Sequence, residues 1–367
     1  MDDPTLLRPD PYEGSDAAER QRNWPNNCWW VAAHSSEVTP SPTVRWILGN
    51  PLVFYRSSNG EVAALHDRCP HRWAPLSMGT VQGDDVVCIY HGMRFGPNGQ
   101  CNSVPTQAKT PSAIRVRAYP THERYGFVWV WTGEMELADP AEIPDLYFLE
   151  RPEWHVAWGY KHARANYMQL KENVLDLTHF AFLHASSLGI TDWDRAPKVE
   201  TTEKTVIYRQ VFEMAPLAPP YAGPANKAVG KPVNRDSWGM YASPAVNFGA
   251  VDLHDPAPEP GGLEYFAQRT IHLTTPASLG KTHYYWAMAR DHGEPYDLEE
   301  RRARANVVFG EDIAVVEATR DLVERAADQN EAIEFSVSAD RAAIEARRRV
   351  AGLIEEERQR PLRDASV

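Results

Sequence analysis

Four side chains between residues 69 and 91 have the chemistry of a metal site. The stretch "CPHRWAPLSMGTVQGDDVVCIYH" supplies Cys69, His71, Cys88 and His91 in the pattern C-x-H-x16-C-x-x-H. Both halves sit at turns: "CPHR" follows a strand-like run and "CIYHG" ends at a glycine. Loops at strand ends can aim several side chains at one ion while the sheet holds them still. A structural zinc site of two thiolates and two imidazoles is chemically allowed. Zinc fingers, however, usually group Cys with Cys and His with His, whereas each half here offers one of each. The mixed pairs suit a two-iron cluster with thiolates on one iron and imidazoles on the other. Exchanging two thiolates for neutral imidazoles raises such a cluster's potential to about −150 to +300 mV.

A second group lies in "ENVLDLTHFAFLH". On a helix, Asn173, Asp176 and His179 step by three residues along one face. His184 is five beyond His179, about 140° further round. Both imidazoles reach one ion only if the helix distorts or ends between them, and "HASSLG" heads for a glycine stop at Gly189. Two histidines and one carboxylate make the facial triad of non-haem Fe(II) oxygenases, which leaves positions open for dioxygen and substrate. The carboxylate is expected from "ARANVVFGEDIAVVEATRDLVERA". There Asp312 falls in an apolar stripe, with Val308, Phe309, Val315, Val316 and Val323 within about 60° of it. A buried unpaired carboxylate costs several kcal/mol, so Asp312 calls for a metal or a cation; a structural salt bridge is the bland alternative. Glu311 falls at the stripe's edge and Glu317 outside it, and both are expected to be solvated.

The elements that must hold these groups follow from the rest of the chain. It has 367 residues, 43% hydrophobic and 24% charged, enough for two cores. A formal charge of −12 argues against general nucleic-acid binding, which needs a basic face. No apolar run approaches a membrane span, and the polar, acidic start "MDDPTLLRPDPYEGSDAAER" lacks the features of a secretory signal, so a cytoplasmic protein is expected. Four cysteines make no disulfide framework; Cys28 and Cys101 are expected to be ordinary buried or half-buried thiols.

The first third reads as strands, with a hairpin signal at Asn59-Gly60 and a β-rich run "RYGFVWVWTG". Two prolines in "MELADPAEIPDL" suit a boundary near residue 140. Helical patterning starts at "ANYMQLKENVLDL", strands return from about 195 to 290, and helices follow from Asp297. The Pro/Gly-rich stretches "APLAPPYAGPANKAVGKPVN" and "HDPAPEPGG" read as long surface loops. The fold class is α+β: an all-β domain over 1–140, then a larger domain over 141–367 with an antiparallel sheet flanked by helices.

"CPHRWAPLSMG" and "YHGMRFGPNGQC" resemble the ferredoxin module of the Rieske non-haem iron oxygenases. "NVLDLTH", "FAFLH" and "GEDIAVVEA" are similar to the catalytic motifs of the branch containing vanillate O-demethylase and dicamba monooxygenase. The resemblance implies a Rieske 2Fe-2S cluster on Cys69, Cys88, His71 and His91. It also implies a mononuclear Fe(II) on His179, His184 and Asp312. By the same resemblance Asp176 bridges His179 to His91 of a neighbouring subunit in a head-to-tail homotrimer, and Asn173 is a polar neighbour of the iron. Such a terminal oxygenase takes electrons from a ferredoxin or an NAD(P)H-dependent reductase, since the chain has no nicotinamide or flavin fingerprint. Arg68, Arg72 and Arg94 form a candidate basic patch for docking that donor.

"AVNFGAV" and "RTIHLTTP" resemble the substrate pocket of the same branch. Asn247 and His272 would there hold an aromatic carboxylate, the alternative being that both are satisfied strand residues; Trp238, Phe248 and Phe266 either line an apolar pocket or are core. The expected reaction is O-demethylation of a methoxy-aromatic acid. N-dealkylation or ring hydroxylation by the same iron, and a Rieske electron carrier without oxygenase activity, are the alternatives.

Overall fold

Ten short strands occupy residues 29–131 of the computed structural model, which describes residues 24–193, 195–293, 297–328 and 335–360. They are β1 (Trp29–His34), β2 (Thr43–Ile47), β3 (Asn50–Arg56), β4 (Val62–His66), β5 (Thr80–Gln82), β6 (Asp85–Val87), β7 (Arg94–Phe95), β8 (Cys101–Ser103), β9 (Thr121–Arg124) and β10 (Phe127–Trp131). They form three small sheets, ordered β1-β10-β9, β2-β3-β4 and β5-β6-β7-β8. Asn59 and Gly60 lie in the turn between β3 and β4, with Gly60 at φ 88. Tyr125 and Gly126, both left-handed, close β9 on β10 in the two-residue geometry that matches strand twist. Val53, Leu65, Leu76, Val86 and Phe95 pack with Cys69, Cys88 and Cys101 in one core. These strands lie in a compact unit whose described residues are 24–143, 275–283 and 352–360.

The other unit comprises residues 144–274 and 284–351. Its sheet has seven strands: β11 (His155–Ala163), β12 (Lys198–Thr201), β13 (Val206–Pro216), β14 (Pro232–Tyr241), β15 (Val246–His254), β16 (Tyr265–Ser278) and β17 (Lys281–Arg290). The order is β11-β17-β16-β15-β14-β13-β12, antiparallel, as the α+β class requires. Helices α1 (Tyr167–Leu175), α2 (Pro219–Ala225), α3 (Leu298–Asp328) and α4 (Arg341–Gln359) accompany it. No helix among the described residues is long and apolar enough to cross a membrane.

Three expectations change. The stretch after β13 is not simply a surface loop: it folds into α2, and Leu217, Tyr221 and Ala225 are buried. Proline at the helix start costs nothing there, because those first N–H groups have no intrahelical acceptor. The helix expected to run to Gly189 ends at Leu175, where Asp176 is extended (φ −121, ψ 98), and a 3-10 turn takes over at Leu177–Ala181. On α3 the buried face is Ala305, Phe309, Ile313 and Val316, while Val315 and Val323 are exposed. Asp312 thus sits at the edge of the core stripe rather than at its centre, which frees its carboxylate to face a cavity.

Candidate metal centres and substrate cavity

Two copies of one turn hold the first set of ligands. Trp73 N donates to Cys69 O and Cys69 N to Ala74 O, both at 2.9 Å; Gly92 N donates to Cys88 O and Cys88 N to Met93 O, again at 2.9 Å. The fifth residue of each turn is left-handed, Trp73 at φ 63 and Gly92 at φ 69. That conformation is ordinary for glycine and uncommon for tryptophan, so the first turn is strained. The Arg68 guanidinium lies 4.6 Å over the Trp73 ring. Cys69 and Cys88 are buried, whereas His71 and His91 are exposed with ring centroids 4.5 Å apart. Burial, with the neighbouring Cys88 thiol, pushes the Cys69 thiol up to about 11, so Cys69 needs a cation to exist as a thiolate at neutral pH. Paired inner thiols and outer imidazoles fit a two-iron cluster with its histidine-bound iron toward the surface.

The second set comes together as anticipated, because the helix ends before His179. Ligand atoms of His179, His184 and Asp312 lie within 4.8 Å of one another. Asp312 Oδ1 is 3.4 Å from His179 Nε2 and 3.1 Å from His184 Nε2. Two donors about 2.1 Å from one metal and at right angles are roughly 3 Å apart, so these spacings fit neighbouring corners of one coordination shell. Burial pushes the Asp312 carboxyl up, but the hydrogen bonds and charge of His179 and His184 outweigh it and hold the group well below the usual carboxylate range. Asn173 Nδ2 donates to the same Oδ1 at 3.2 Å.

Each imidazole is oriented from behind. The His179 Nδ1–H donates to the main-chain carbonyl of Asp176, not to its carboxylate, whose Oδ1 instead accepts from Thr178 N (2.9 Å) and Thr178 Oγ1 (2.6 Å). His184 Nδ1 meets Glu311 Oε2 at 2.7 Å, and Ser187 Oγ donates to the same oxygen at 2.7 Å. Glu311 is therefore partly exposed but tied to His184, which its wheel position did not suggest. Glu317, also partly exposed, pairs with Arg164 at 3.0 Å. Arg94 is likewise drawn out of the basic patch by Asp85 at 3.1 Å, leaving Arg68 and Arg72 exposed beside the first site.

A cavity of about 480 Å³ is lined by His179, His184 and Asp312 together with β14, β15 and β16. Strand alternation decides which side chains reach it. Ser237, Val251 and Gln268 share one cross-strand row, Gly249 and Thr270 the next, and Asn247 and His272 a third. Trp238, Phe248 and Phe266 do not line the cavity: Trp238 and Phe248 are each one residue out of step with these rows and pack on each other at 5.5 Å, while Phe266, in step, lies one row beyond Gln268 and packs on His292 at 4.8 Å.

His272 lines the cavity; Asn247 does not. The Asn247 carboxamide is taken by the buried Lys171, whose Nζ donates to Oδ1 at 2.8 Å. A lysine on α1 gave no sign of this in the sequence. His272 Nδ1 is 2.6 Å from Tyr284 Oη, and burial lowers its pKa to about 4. It is a neutral imidazole, so any hydrogen bond it gives a ligand is uncharged.

Residues 28–120 match the Rieske [2Fe-2S] domain and residues 163–356 the vanillate O-demethylase oxygenase C-terminal domain. A vanillate O-demethylase oxygenase subunit of Pseudomonas sp. (strain HR199 / DSM 7063) is 33% identical over 303 residues, 80% of this chain and 85% of that protein. The oxygenase component of a chloroacetanilide N-alkylformylase of Rhizorhabdus wittichii (strain DC-6 / KACC 16600) is 31% identical over 336 residues, 88% of this chain and 93% of that one. The crystal structure of dicamba monooxygenase bound to 3,6-dichlorosalicylic acid superposes with a TM-score of 0.80 at 29% identity, covering 93% of this chain and 99% of that one. With both domain matches in one chain, and with ligand sets suited to a 2Fe-2S cluster and a mononuclear iron, the protein belongs to the Rieske non-haem iron oxygenases as an oxygenase component with a vanillate O-demethylase-type catalytic domain.

Proposed function

We propose that this oxygenase removes a methyl group from a methoxy-aromatic acid. The observation that carries the reading is the meeting of His179, His184 and Asp312 at the wall of a cavity of about 480 Å³, within the range of small-molecule sites. Bound there, iron supplies dioxygen activation, one oxygen atom entering a methyl C–H bond and the other leaving as water. Two electrons and two protons balance the step, and the resulting hemiacetal falls to a phenol and formaldehyde. The protein's own work is positional. His179, His184 and Asp312 hold the metal on one face, and Asn173 and Glu311 fix two of those ligands. The neutral His272 orients the substrate, and the apolar part of the lining, Leu177, Ile190 and Trp193 among it, limits water there.

Electrons arrive through Cys69, Cys88, His71 and His91. Exposed Trp73, Ile89 and Tyr90 surround the two surface histidines, and such an apolar rim suits burial against protein. In this reading His91 meets Asp176 of a neighbouring subunit in a closed homotrimer, while Arg68 and Arg72 dock an acidic ferredoxin or reductase in the cytoplasm. N-dealkylation by the same centre is the second reading, favoured by the 31% identity to the N-alkylformylase component.

The test is a screen of methoxybenzoates and N-alkyl anilides with a surrogate reductase, scoring substrate-dependent formaldehyde or aldehyde. Formaldehyde from a methoxybenzoate is expected. Oxygen uptake without any dealkylated or hydroxylated product would reject the assignment.

A further inference from the structure

The sheet face that lines the cavity carries a cation whose hydrogen-bonding capacity is only partly used. Arg235 on β14 is 3% exposed and lines the cavity. Its Nη2 donates to Asp192 Oδ1 at 2.7 Å and its Nε to Ser237 Oγ at 3.0 Å. The Phe212 ring lies 4.1 Å from its Cζ and fixes the plane. A guanidinium has five N–H groups; these contacts use two, and Nη1 has no hydrogen-bond partner among the described residues. Burying a guanidinium with donors unspent is costly unless something else takes them.

The surroundings favour an anion. Among the described residues Arg235, Arg301 and Arg304 line this cavity and Asp312 is the one carboxylate that does, in a chain whose formal charge is −12. Asp192 offsets the Arg235 charge and Glu300 pairs with Arg304 at 2.6 Å, so what the cavity offers an incoming anion is the Nη1 edge of Arg235 rather than a net positive wall. Space is kept as well. Gly249 stands mid-strand between Gly239 and Thr270, where a glycine weakens the ladder. A Cβ there would meet only Tyr208 Oη, at 3.8 Å. The Arg235–Ser237 bond leans the guanidinium along the strand toward this gap, and His272 lies one row beyond it.

We propose that Arg235 is the anion anchor of the substrate site. It receives the carboxylate or sulfonate of an aromatic acid whose ring lies over Gly249 and whose oxidisable group points to the His179–His184–Asp312 end. This rests on the oxygenase reading and narrows its substrates to aromatic anions. A planar guanidinium matches a carboxylate or sulfonate with two parallel N–H donors.

The test is equilibrium binding to the iron-loaded protein of 4-methoxybenzoate, 4-methoxybenzenesulfonate and the neutral 4-methoxybenzamide. The wild type should bind both acids about tenfold or more tighter than the amide. Arg235→Gln should bring the acids down to the amide's level and leave the amide unchanged, and Arg235→Lys should keep part of the preference. Asp192→Asn separates anchor from structural ion pair: an anchor relieved of its counter-charge holds acids as well as before or better. Should Arg235→Gln fail to fold, Arg235→Lys and Asp192→Asn decide alone. Retention of the acid preference in Arg235→Gln, or its loss in a folded Asp192→Asn, overturns the anchor. Equal turnover of acid and amide by the wild type also removes the anchor and leaves the oxygenase assignment standing. A wild type without iron and sulfide removes the oxygenase assignment itself.

Discussion

His184 and Glu311 are joined by a 2.7 Å hydrogen bond from Nδ1 to Oε2, while the other nitrogen of the same ring faces Asp312 Oδ1 at 3.1 Å. Two adjacent residues of α3 thus grip one imidazole from both sides, Asp312 as fellow candidate ligand and Glu311 as the acceptor that sets tautomer and tilt. A carboxylate behind a metal-bound histidine makes the imidazole a better donor. Replacing Glu311 with Ala should weaken iron binding at the mononuclear site by roughly 10- to 100-fold while the cluster absorbance is unchanged. Glu311→Gln, whose amide oxygen still accepts, should lose less. Chelator titration followed by metal analysis checks this, and an unaltered iron affinity in Glu311→Ala would contradict it.

Asp176 has two separable jobs. Its main-chain carbonyl orients His179, and its Oδ1 caps the turn through Thr178. Asparagine keeps an acceptor oxygen at Oδ1, so Asp176→Asn should fold and retain both metals. If the carboxylate also links His179 to His91 of a neighbouring subunit, substrate-triggered oxidation of the reduced cluster should slow by about 10- to 100-fold. Stopped-flow absorbance reads this; a wild-type rate would remove Asp176 from the electron path.

The two buried thiols that differ in role make an internal control. Cys69 and Cys101 are both buried in the same core, yet only Cys69 lies in the paired turns. Cys69→Ser should give a protein without the red-brown colour of the cluster. Cys101→Ser should stay coloured and lose about 1–3 kcal/mol of stability, the cost of burying a hydroxyl. Absorbance spectra and urea unfolding distinguish the two, and colour in Cys69→Ser would refute the ligand assignment.

His272 ties stability to pH. Its folded pKa, lowered by burial to about 4, lies below the roughly 6.5 of an unfolded histidine, so the unfolded chain binds more protons between those values. Asp312 pulls the other way, while Lys171 and His179 add to the lowering. Stability should therefore fall as pH drops from about 6.5 toward about 4, and His272→Gln should blunt that fall. Thermal unfolding of both proteins across the window measures it. Parallel profiles would mean that His272 titrates alike in the folded and unfolded chain, contrary to the lowered value.

The candidate ligands stood out in the sequence because their spacing is local: each half of the first set lies in one tight turn, and His179 and His184 follow closely on the end of α1. The carboxylate at 312 stood out as a charge on an apolar stripe. Glu311, Lys171 and Arg235 escaped for a different reason. Their partners are 127, 76 and 43 residues away in the chain, and no periodicity encodes such pairings. At Trp238, Phe248 and Phe266 the sequence left pocket wall and core both open, and the structure keeps all three out of the cavity lining. In β14 the alternate that faces the cavity carries Arg235, Ser237 and Gly239, so a buried strand face that is polar and small was the better signal.

Iron and acid-labile sulfide per chain, measured on the wild type and on Asp312→Ala, test the central claim that one polypeptide carries a cluster and a separate mononuclear iron. About three irons and two sulfides are expected in the wild type, and about two of each in Asp312→Ala with the cluster spectrum intact. Zinc in place of iron, an absence of sulfide, or equal iron in the two proteins would contradict the account.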